Sequence, residues 1–425
     1  MRVEIMKGRW RLCGCLWAVS MGAYAQTALT WQQVKEKFEA ANPALRAGQL
    51  NIQESKAQEV TAYLRPNPDF TLSTDGTQLT PSNGVWRPFT GTQFLTGIGY
   101  LHERAGKREL RLESAQKGTA IAESQLEDTR RNLLFNLRSA FVQALQAKAL
   151  LASAKENLDY FAREYVIHTD RYKAGDISRL DLSRITLQRV QFEQDYQTAQ
   201  VNMRTAKIAL LMMLNDRTPV DQFDVTGPFD FSEELLPLDE FHRIARASRP
   251  DLKAAAQAVD KAETDHRLAV ANGSADPTWS AWWTRNPSFN NPYDTNTVGA
   301  SVTIPLRIFD RNQGEKARTQ IDIRHAERQK DATEAQVFSD VDSAYYTLLS
   351  TLNLLKPYKE TYLKIAADVR DTTSFSFQHG QASLIDYLDA QRDYRSTQVA
   401  YLTLIGSYLT AAGQLNMAVG REVIQ

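Results

Sequence analysis

The segment Gly175-Asp176-Ile177-Ser178-Arg179-Leu180-Asp181-Leu182 is the strongest indication of the architecture, because it recurs 205 residues later as Gly380-Gln381-Ala382-Ser383-Leu384-Ile385-Asp386-Tyr387. A glycine, a serine and an aspartate keep the same spacing in both copies. Earlier segments correspond in the same way: Asn42–Leu45 with Arg249–Leu252, and Asn67–Phe70 with Asp276–Trp279. A duplication of this long period predicts two similar units related by pseudosymmetry.

Long helices are predicted on both sides of each repeated turn. Alternating steps of four and three residues from Leu133 to Tyr172 meet apolar or small side chains, with His168 as the one polar residue type. A sustained 3.5-residue period predicts a coiled-coil seam, and a helix over residues 104–172 would be roughly 100 Å long. The returning helices carry two equivalent sets: Leu182, Ile185, Arg189, Phe192, Tyr196, Ala199, Met203, Ala206, Leu210 and Met213, and Tyr387, Ala390, Tyr394, Thr397, Tyr401, Leu404, Tyr408, Ala411, Leu415 and Ala418.

Each half is predicted to run in the order helix, two strands, long helix, tight turn, long helix. The first structural repeat covers residues 26–215 and the second covers residues 238–425. Residues 216–237 are rich in proline, glycine and acidic residues, which predicts a linker between the repeats.

Four segments carry a two-residue alternation that predicts strands of about 10 to 12 residues. An exposed soluble hairpin and a membrane-spanning one with a girdle of aromatic side chains both fit this pattern. About eight strands make the smallest barrel, so strands that face lipid would require several copies of the chain. The nearby aromatic residues are Trp86, Phe89, Trp279, Trp282, Trp283 and Phe289.

Residues 1–25 are predicted to be an export signal peptide. A basic start precedes a short apolar run, and Ala23-Tyr24-Ala25 matches a cleavage site. Cys13 and Cys15 lie in a weak lipobox-like segment, and lipidation of Cys15 is the alternative to cleavage. Charged residues precede that segment, which favours cleavage and leaves a mature chain without cysteine.

The composition excludes several classes of function. The 425 residues contain 50 basic and 50 acidic side chains, so a nucleic-acid partner is not expected. No phosphate-binding loop and no nucleophile motif occurs, so neither an enzyme nor a cofactor is expected. None of the six histidines is expected to belong to a closed metal site, and His168 and His379 near the tight turns are expected to be solvated.

Each predicted strand pair is followed by a short segment at the equivalent position of its repeat. They contain Arg104-Ala105-Gly106-Lys107-Arg108 and Asp310-Arg311-Asn312-Gln313-Gly314. Their glycine and asparagine residues suit sharp strand-to-helix junctions. With the duplicated helix, strand-pair and hairpin unit, these segments resemble the TolC family of outer-membrane efflux proteins, and within it the CzcC-like heavy-metal cation branch.

The resemblance implies an α+β membrane protein, in which long α-helical coiled coils extend into the periplasm from the outer membrane. Four strands from each chain would complete a twelve-stranded β-barrel in a homotrimer embedded in outer-membrane lipid. The implied partners are a periplasmic adaptor protein and an inner-membrane pump of the resistance-nodulation-division (RND) type. The implied function is a passive exit duct, with heavy-metal cations as the cargo.

The same resemblance assigns roles to residues at the turns. It implies a cation-selecting aperture of acidic residues, at Asp181, Asp386 and Asp389, although a charge that stabilises a helix N-terminus is an alternative role for each. It also implies an arginine and a tyrosine of a hydrogen-bonded latch, where this chain has Ala382 and Phe377. Adaptor docking is implied at Gly175, Ser178, Arg179, Leu180, Gly380, Ser383 and Leu384, and strand-to-helix junctions at Gly106, Lys107, Arg108, Asp310, Asn312 and Gly314.

Two other functions remain open at this point. A duct of the same fold could export drugs or other small molecules, and the acidic aperture does not distinguish this cargo from metals. A periplasmic coiled-coil scaffold without a pore would also fit the helical pattern.

Overall fold

The computed structural model describes residues 28–81, 83–89, 91–286 and 296–424. The predicted signal peptide, with Cys13 and Cys15, and the girdle residue Phe289 lie outside them. The first half contains α1 (Trp31–Ala41), α2 (Pro43–Tyr63), β1 (Asp69–Asp75), β2 (Gln93–Leu101), α3 (Lys107–Ala174) and α4 (Arg179–Met213). The second half contains α5 (Leu238–Ser248), α6 (Pro250–Asn272), β3 (Thr278–Arg285), β4 (Asn296–Thr303), α7 (Gln313–Pro357), α8 (Leu363–Gln378) and α9 (Leu384–Val419).

The two halves repeat the same element order, which confirms the duplication and the predominantly helical α+β class. With its 68 residues, α3 is about 100 Å long at roughly 1.5 Å per residue. Among the described residues, no helix is both long and apolar enough to cross a membrane.

The prediction of one opening helix in each half is wrong, because a proline divides it. Asn42 and Arg249 have extended backbones, and Pro43 and Pro250 then begin α2 and α6. A proline disfavours the helical conformation of the residue before it but suits the first position of a helix. Asn42 also caps α2, since its side chain accepts hydrogen bonds from the next two amides.

The outgoing helix of the second hairpin is also interrupted. Pro357 ends α7, and a π-helical turn at Tyr358–Tyr362 separates it from α8. Proline has no N–H to donate to the carbonyl four residues earlier, which loosens the helix at this point. The first hairpin has no equivalent proline, and α3 runs through without a break.

The predicted coiled-coil seam is confirmed along both hairpins. Half of its positions on α3, including Leu137, Ala144 and Phe161, are buried, whereas Tyr172 at the end of the seam is exposed. The charged exception Arg189 lies at the rim, with its guanidinium 5.0 Å from the ring centroid of Tyr165. The buried seam positions on α4 and α9 are Ile185, Phe192, Ala199, Met203, Leu210, Tyr387, Ala390, Tyr408, Ala411, Leu415 and Ala418.

The four strands form one antiparallel sheet in the order β1-β2-β3-β4. Their lengths of seven to nine residues are shorter than the predicted 10 to 12. The predicted strands were too long because the alternation of residue types in the sequence extends past the hydrogen-bonded part of each strand. The backbone turns away from the sheet at Gly76, which follows β1 and has a φ of +76°, and Pro305 has no N–H with which to prolong β4.

The two faces of the sheet differ in chemistry. One face carries exposed apolar side chains, and the other carries mostly glycine, serine and threonine around a single indole, Trp282. Trp282 pairs with Gly97 and Gly299, so it points away from Trp279 and Trp283 and does not belong with them in an aromatic girdle. The exposed apolar face consists of Phe70, Leu72, Phe94, Ile98, Trp279, Trp283, Val298 and Val302.

Residues 216–237 join the halves without any helix longer than the 3₁₀ turn at Val220–Gln222. The segment is nevertheless packed against both halves. Phe223 and Val225 belong to a core with α1, α3 and α4, whereas Phe231 belongs to a core with α5, α7 and α9. These buried side chains tie the two repeats together.

The helices form a layer with an open edge on each side. Beside the sheet the helices lie in the order α2, α3, α6, α7. Towards the hairpin turns the order is α4, α3, α9, and the far side of α9 packs first against α7 and then, nearer the turns, against α8. Among the described residues, the first and last helices of each row therefore have one side without a neighbour, as β1 and β4 have in the sheet.

Candidate functional site at the hairpin turns

The two hairpin turns have the same local structure, 205 residues apart. Gly175 and Gly380 both take positive φ angles, 87° and 72°, which allow the chain to leave α3 and α8. Ser178 and Ser383 then cap α4 and α9, as predicted for N-caps. The repeated motif therefore encodes one compact turn that is used twice.

Asp181 and Asp386 complete these caps. Each aspartate accepts a 2.7 Å hydrogen bond from the capping serine hydroxyl, and its own amide donates back to that hydroxyl. Hydrogen bonds from the hydroxyl and then the amide of Ser383 lower the pKa of the exposed Asp386. Both residues thus have a defined structural role, and their role in a cation-selecting aperture stays a prediction.

Asp389 has a different environment from Asp386, although both lie on α9. Its carboxylate is about half exposed and lies 3.1 Å from Arg392 Nη1, three residues along the helix. Arg392 also faces Asp393 at 3.5 Å. Any negative field at this point is therefore partly offset by Arg392, which the sequence analysis did not include.

The predicted docking residues divide into exposed and buried ones. Leu180 is 60% exposed, but its equivalent Leu384 is 7% exposed and packs beneath the second turn. The prediction that Leu384 contributes to a docking surface is wrong, since its side chain is unavailable from outside. The backbone and polar positions of the turns, Gly175, Ser178, Arg179, Gly380 and Ser383, are all exposed.

Below the turns, an aromatic cluster joins the two hairpins. Phe161 of α3 stacks on Phe192 of α4, and Phe377 of α8 stacks on Tyr387 of α9, with ring centroids 4.7 and 5.1 Å apart. Ala382 packs against the same cluster. Apolar packing thus occupies the positions where the family resemblance implied a hydrogen-bonded latch.

His168 lies inside this cluster, so the expectation that it would be solvated is wrong. Its side chain is fully buried, and burial lowers its pKa to about 4. Its place in the 3.5-residue seam was the correct signal. Glu164 precedes it by one helical turn, with 3.9 Å between the carboxylate and Nε2, so this i,i+4 pair was also missed.

The described residues contain no group of three or more histidine, cysteine, aspartate or glutamate side chains that could hold a metal ion. The Glu164–His168 pair supplies two such side chains, and the neighbouring cation Arg171 would oppose a bound metal. This pair therefore belongs to the packing between the hairpins.

The first strand-to-helix junction is clamped to the second repeat. Ala105 and Gly106 have positive φ angles, as the prediction of a sharp turn at Gly106 requires. Lys107 follows, 4% exposed, and its ammonium lies 2.5 Å from Asp276 and 2.9 Å from the carbonyl oxygen of Ser274. Arg108 stacks on Tyr63, with 4.3 Å from the guanidinium carbon to the ring centroid.

The second junction uses asparagine in place of glycine. Asn312 has a φ of 59°, its amide donates to Asp310, and its side chain donates to the carbonyl oxygen of Ala269 at 2.7 Å. Gly314 was also predicted to form the turn, but it lies in the first turn of α7 without a positive φ. A side-chain hydrogen bond of Asn312 supports the turn instead.

Comparison with known protein families identifies the fold. A model of the family described as outer membrane efflux protein matches residues 35–216 and 242–421. The chain belongs to this family. The matched segments cover both repeats. As an outer membrane efflux protein, this chain has its long helices in the periplasm. This assignment confirms the predicted family and location, and it does not support the scaffold alternative.

Individual relatives of this outer membrane efflux protein agree with the family match. The cobalt-zinc-cadmium resistance protein CzcC of Cupriavidus metallidurans is 26% identical over an alignment of 335 residues, and the match covers 75% of each chain. A solved structure of CusC matches with a TM-score of 0.77 at 18% identity, over 92% of each chain. The Campylobacter jejuni CmeC outer membrane channel matches with a TM-score of 0.72 at 14% identity, over 100% of this chain and 96% of that one. At these low sequence identities, the matches to the two solved structures show that the fold is shared.

Proposed function

We propose that this protein is the passive exit duct of a tripartite efflux system and that its cargo is heavy-metal cations. The observation that carries the cargo is the similarity to the cobalt-zinc-cadmium resistance protein CzcC, which extends over three quarters of both chains. The duct has no chemical step to catalyse, so its function rests on assembly, selection of ions and opening.

The open edges of the chain support a closed ring of copies. On α4, the exposed residues Leu180, Leu187, Val201 and Ile208 recur at multiples of seven, so they form a second seam that no other described part of the chain covers. The opposite edge is different, and contacts between unlike edges build a ring when the rotation from one copy to the next closes. This second edge exposes Tyr346, Leu354, Tyr362, Ile365, Val369 and Phe375 on and beside α7 and α8.

The sheet supports the same assembly. Strand β4 of one copy can pair with β1 of the next, and three copies then supply twelve strands to a closed barrel. Its apolar face, with Phe70, Trp279 and Val298 among its residues, would lie against outer-membrane lipid. The face of small and polar residues would then line the interior.

The far ends of the hairpins would meet the other components. We place the periplasmic adaptor on the exposed positions Gly175, Ser178, Arg179, Leu180, Gly380 and Ser383, with the inner-membrane RND pump beyond it. The aspartates Asp181, Asp386 and Asp389 would form rings of carboxylates in the trimer, which raise the local concentration of cations.

The cargo is tested by growth of a strain that lacks this protein, in media with zinc, cobalt, cadmium, copper or silver and with a panel of dyes and antibiotics. We expect sensitivity to metals, restored by a plasmid copy of the wild-type chain. Sensitivity confined to dyes and antibiotics would overturn the metal cargo and support the alternative, a drug or small-molecule duct. Wild-type resistance to every compound would overturn the efflux role under these conditions.

A further inference from the structure

His168 lies in the seam between the two hairpins of the chain. It belongs to α3 in the first hairpin, and its ring contacts Phe377 of α8 and Tyr387 of α9 in the second, with centroid distances of 5.3 Å to each. Its side chain is fully buried. The imidazole therefore occupies a position that becomes hydrated when the hairpins move apart.

Neither ring nitrogen of His168 has a hydrogen-bond partner among the described residues, and the hydroxyl of Tyr387 also lacks one. The nearest acidic group is Glu164, whose carboxylate is 3.9 Å from Nε2 and already accepts a hydrogen bond from Gln378. A buried polar group without a partner destabilises the packed state. The seam thus contains a titratable group that packing holds in its neutral form.

We propose that His168 makes the closure of the two hairpins sensitive to protons, so that acidification of the periplasm favours their separation. An imidazolium among Phe377, Tyr387 and the other rings would be removed from solvent, and the nearest carboxylate, that of Glu164, is 3.9 Å away and beyond hydrogen-bond distance. Separation of the hairpins exposes the ring to water, which stabilises the protonated form.

The pH range follows from the two states of His168. In the closed seam, burial and then the nearby Arg171 lower its pKa to about 4. A solvated histidine has a pKa of about 6.5. Well above pH 6.5, at about pH 7.5, neither state binds much of the proton and packing is fully effective. Between these values only the separated state binds it, so a fall from pH 7.5 to 5.0 shifts the equilibrium towards separation by roughly 30-fold.

The charged groups around the ring shape this response. On α3, Arg171 disfavours the imidazolium and donates a 3.2 Å hydrogen bond to the carbonyl oxygen of Phe377, whereas Glu164 favours the imidazolium. On α9, burial raises the pKa of Tyr387, so this phenol stays neutral. Gln378 of α8 is uncharged, and its side-chain amide donates a hydrogen bond to the carboxylate of Glu164. Because the closed seam binds little of the proton above pH 5, removal of the Glu164 charge should change the response in this range by only about a tenth.

Distances between spin labels on the two turns test the proposal directly. Lys173→Cys and Gln381→Cys place one label on each exposed turn, and the native cysteines precede the predicted cleavage site. Labelled chains are diluted with unlabelled chains by co-expression, so that measured pairs lie within one chain. This readout requires no transport, and it can fail or succeed independently of the proposed function.

We expect the ratio of separated to closed turns to rise roughly 30-fold from pH 7.5 to 5.0 in the otherwise unaltered chain. His168→Phe should abolish the rise, since phenylalanine suits the aromatic cluster and does not titrate. His379→Phe, which alters an exposed histidine stacked on Phe375, should retain it. Glu164→Gln should leave the rise close to 30-fold, because the closed seam already binds little of the proton at pH 5.0. A distance distribution independent of pH, or an equal rise in His168→Phe, would overturn the proposal.

Discussion

Lys107 and Asp276 form a buried ion pair with 2.5 Å between the ammonium nitrogen and a carboxylate oxygen, and it joins the start of α3 to the loop before β3. The second carboxylate oxygen accepts a hydrogen bond from the amide of Arg104. One aspartate of the second repeat thus holds the strand-to-helix junction of the first. The two repeats are therefore interlocked beside the sheet as well as through residues 216–237.

We predict that Asp276→Ala lowers the free energy of unfolding by about 3 kcal/mol, because it leaves the ammonium of Lys107 buried without a counter-charge. Unfolding by urea, followed by the helical circular dichroism signal in detergent, measures this loss. Asp322→Ala is the matched control, since its partner Arg318 is exposed and such pairs contribute at most about 1 kcal/mol. Equal losses in the two variants would contradict the assigned role.

Asp216 gives a prediction for acid stability. Hydrogen bonds, first from Lys37 and then from Thr218, outweigh burial and lower its pKa from 3.8 to about 2. Well above pH 3.8, at about pH 6 and higher, the carboxylate is ionised in both the folded and unfolded states, and its native contacts are fully effective. As the pH falls towards 2 the unfolded state takes up the proton first, so this stabilisation is lost.

We therefore expect Asp216→Asn to lower the free energy of unfolding by roughly 2 kcal/mol at pH 7 and by much less at pH 2.5. Urea titrations of both proteins at the two pH values give the comparison. A difference that is the same at pH 7 and at pH 2.5 would show that Asp216 does not act through its charge.

Trp282 and Gly299 give a prediction for the sheet. A Cβ atom at Gly299 would lie 2.5 Å from the indole ring of Trp282, so Gly299→Ala must displace the ring or the strand. We expect a loss of roughly 1–3 kcal/mol and a lower temperature for dissociation of the proposed trimer on gels. Gly99→Ala is the control, since its Cβ would make an ordinary 3.5 Å contact with Ser280. Equal behaviour of the two variants would contradict this packing argument.

The sequence predicts the features of this fold that repeat over long distances. The 205-residue duplication and the 3.5-residue seam predict the hairpins, because each depends on many residues with one shared period. The same seam placed His168 among buried positions, although its residue type suggested solvation. Periodicity was the better guide, since packing between two hairpins determines the burial of a whole stripe.

Features that depend on one local contact were not predictable in this way. The ion pair between Lys107 and Asp276 joins residues that are 169 positions apart, and no sequence period connects them. The π turn after Pro357 and the burial of Leu384 likewise depend on neighbours in space. At the candidate site, the sequence identified the acidic residues, but the capping bonds of Asp386 and the ion pair of Asp389 with Arg392 required the structure.

These contacts determine how the predicted cation aperture should be tested. Neutralising Asp386 would also weaken the cap of α9, whereas Asp389 takes no part in that cap. We predict that Asp389→Asn lowers the cation selectivity of the pore, so that its reversal potential in a salt gradient moves towards zero. Arg392→Gln should have the opposite effect, because it removes the cation that offsets Asp389. Planar-bilayer recordings of both variants, with Asp322→Asn on α7 as a control for net charge, provide the measurement. Reversal potentials that shift equally in Asp389→Asn and Asp322→Asn would place Asp389 outside the ion path.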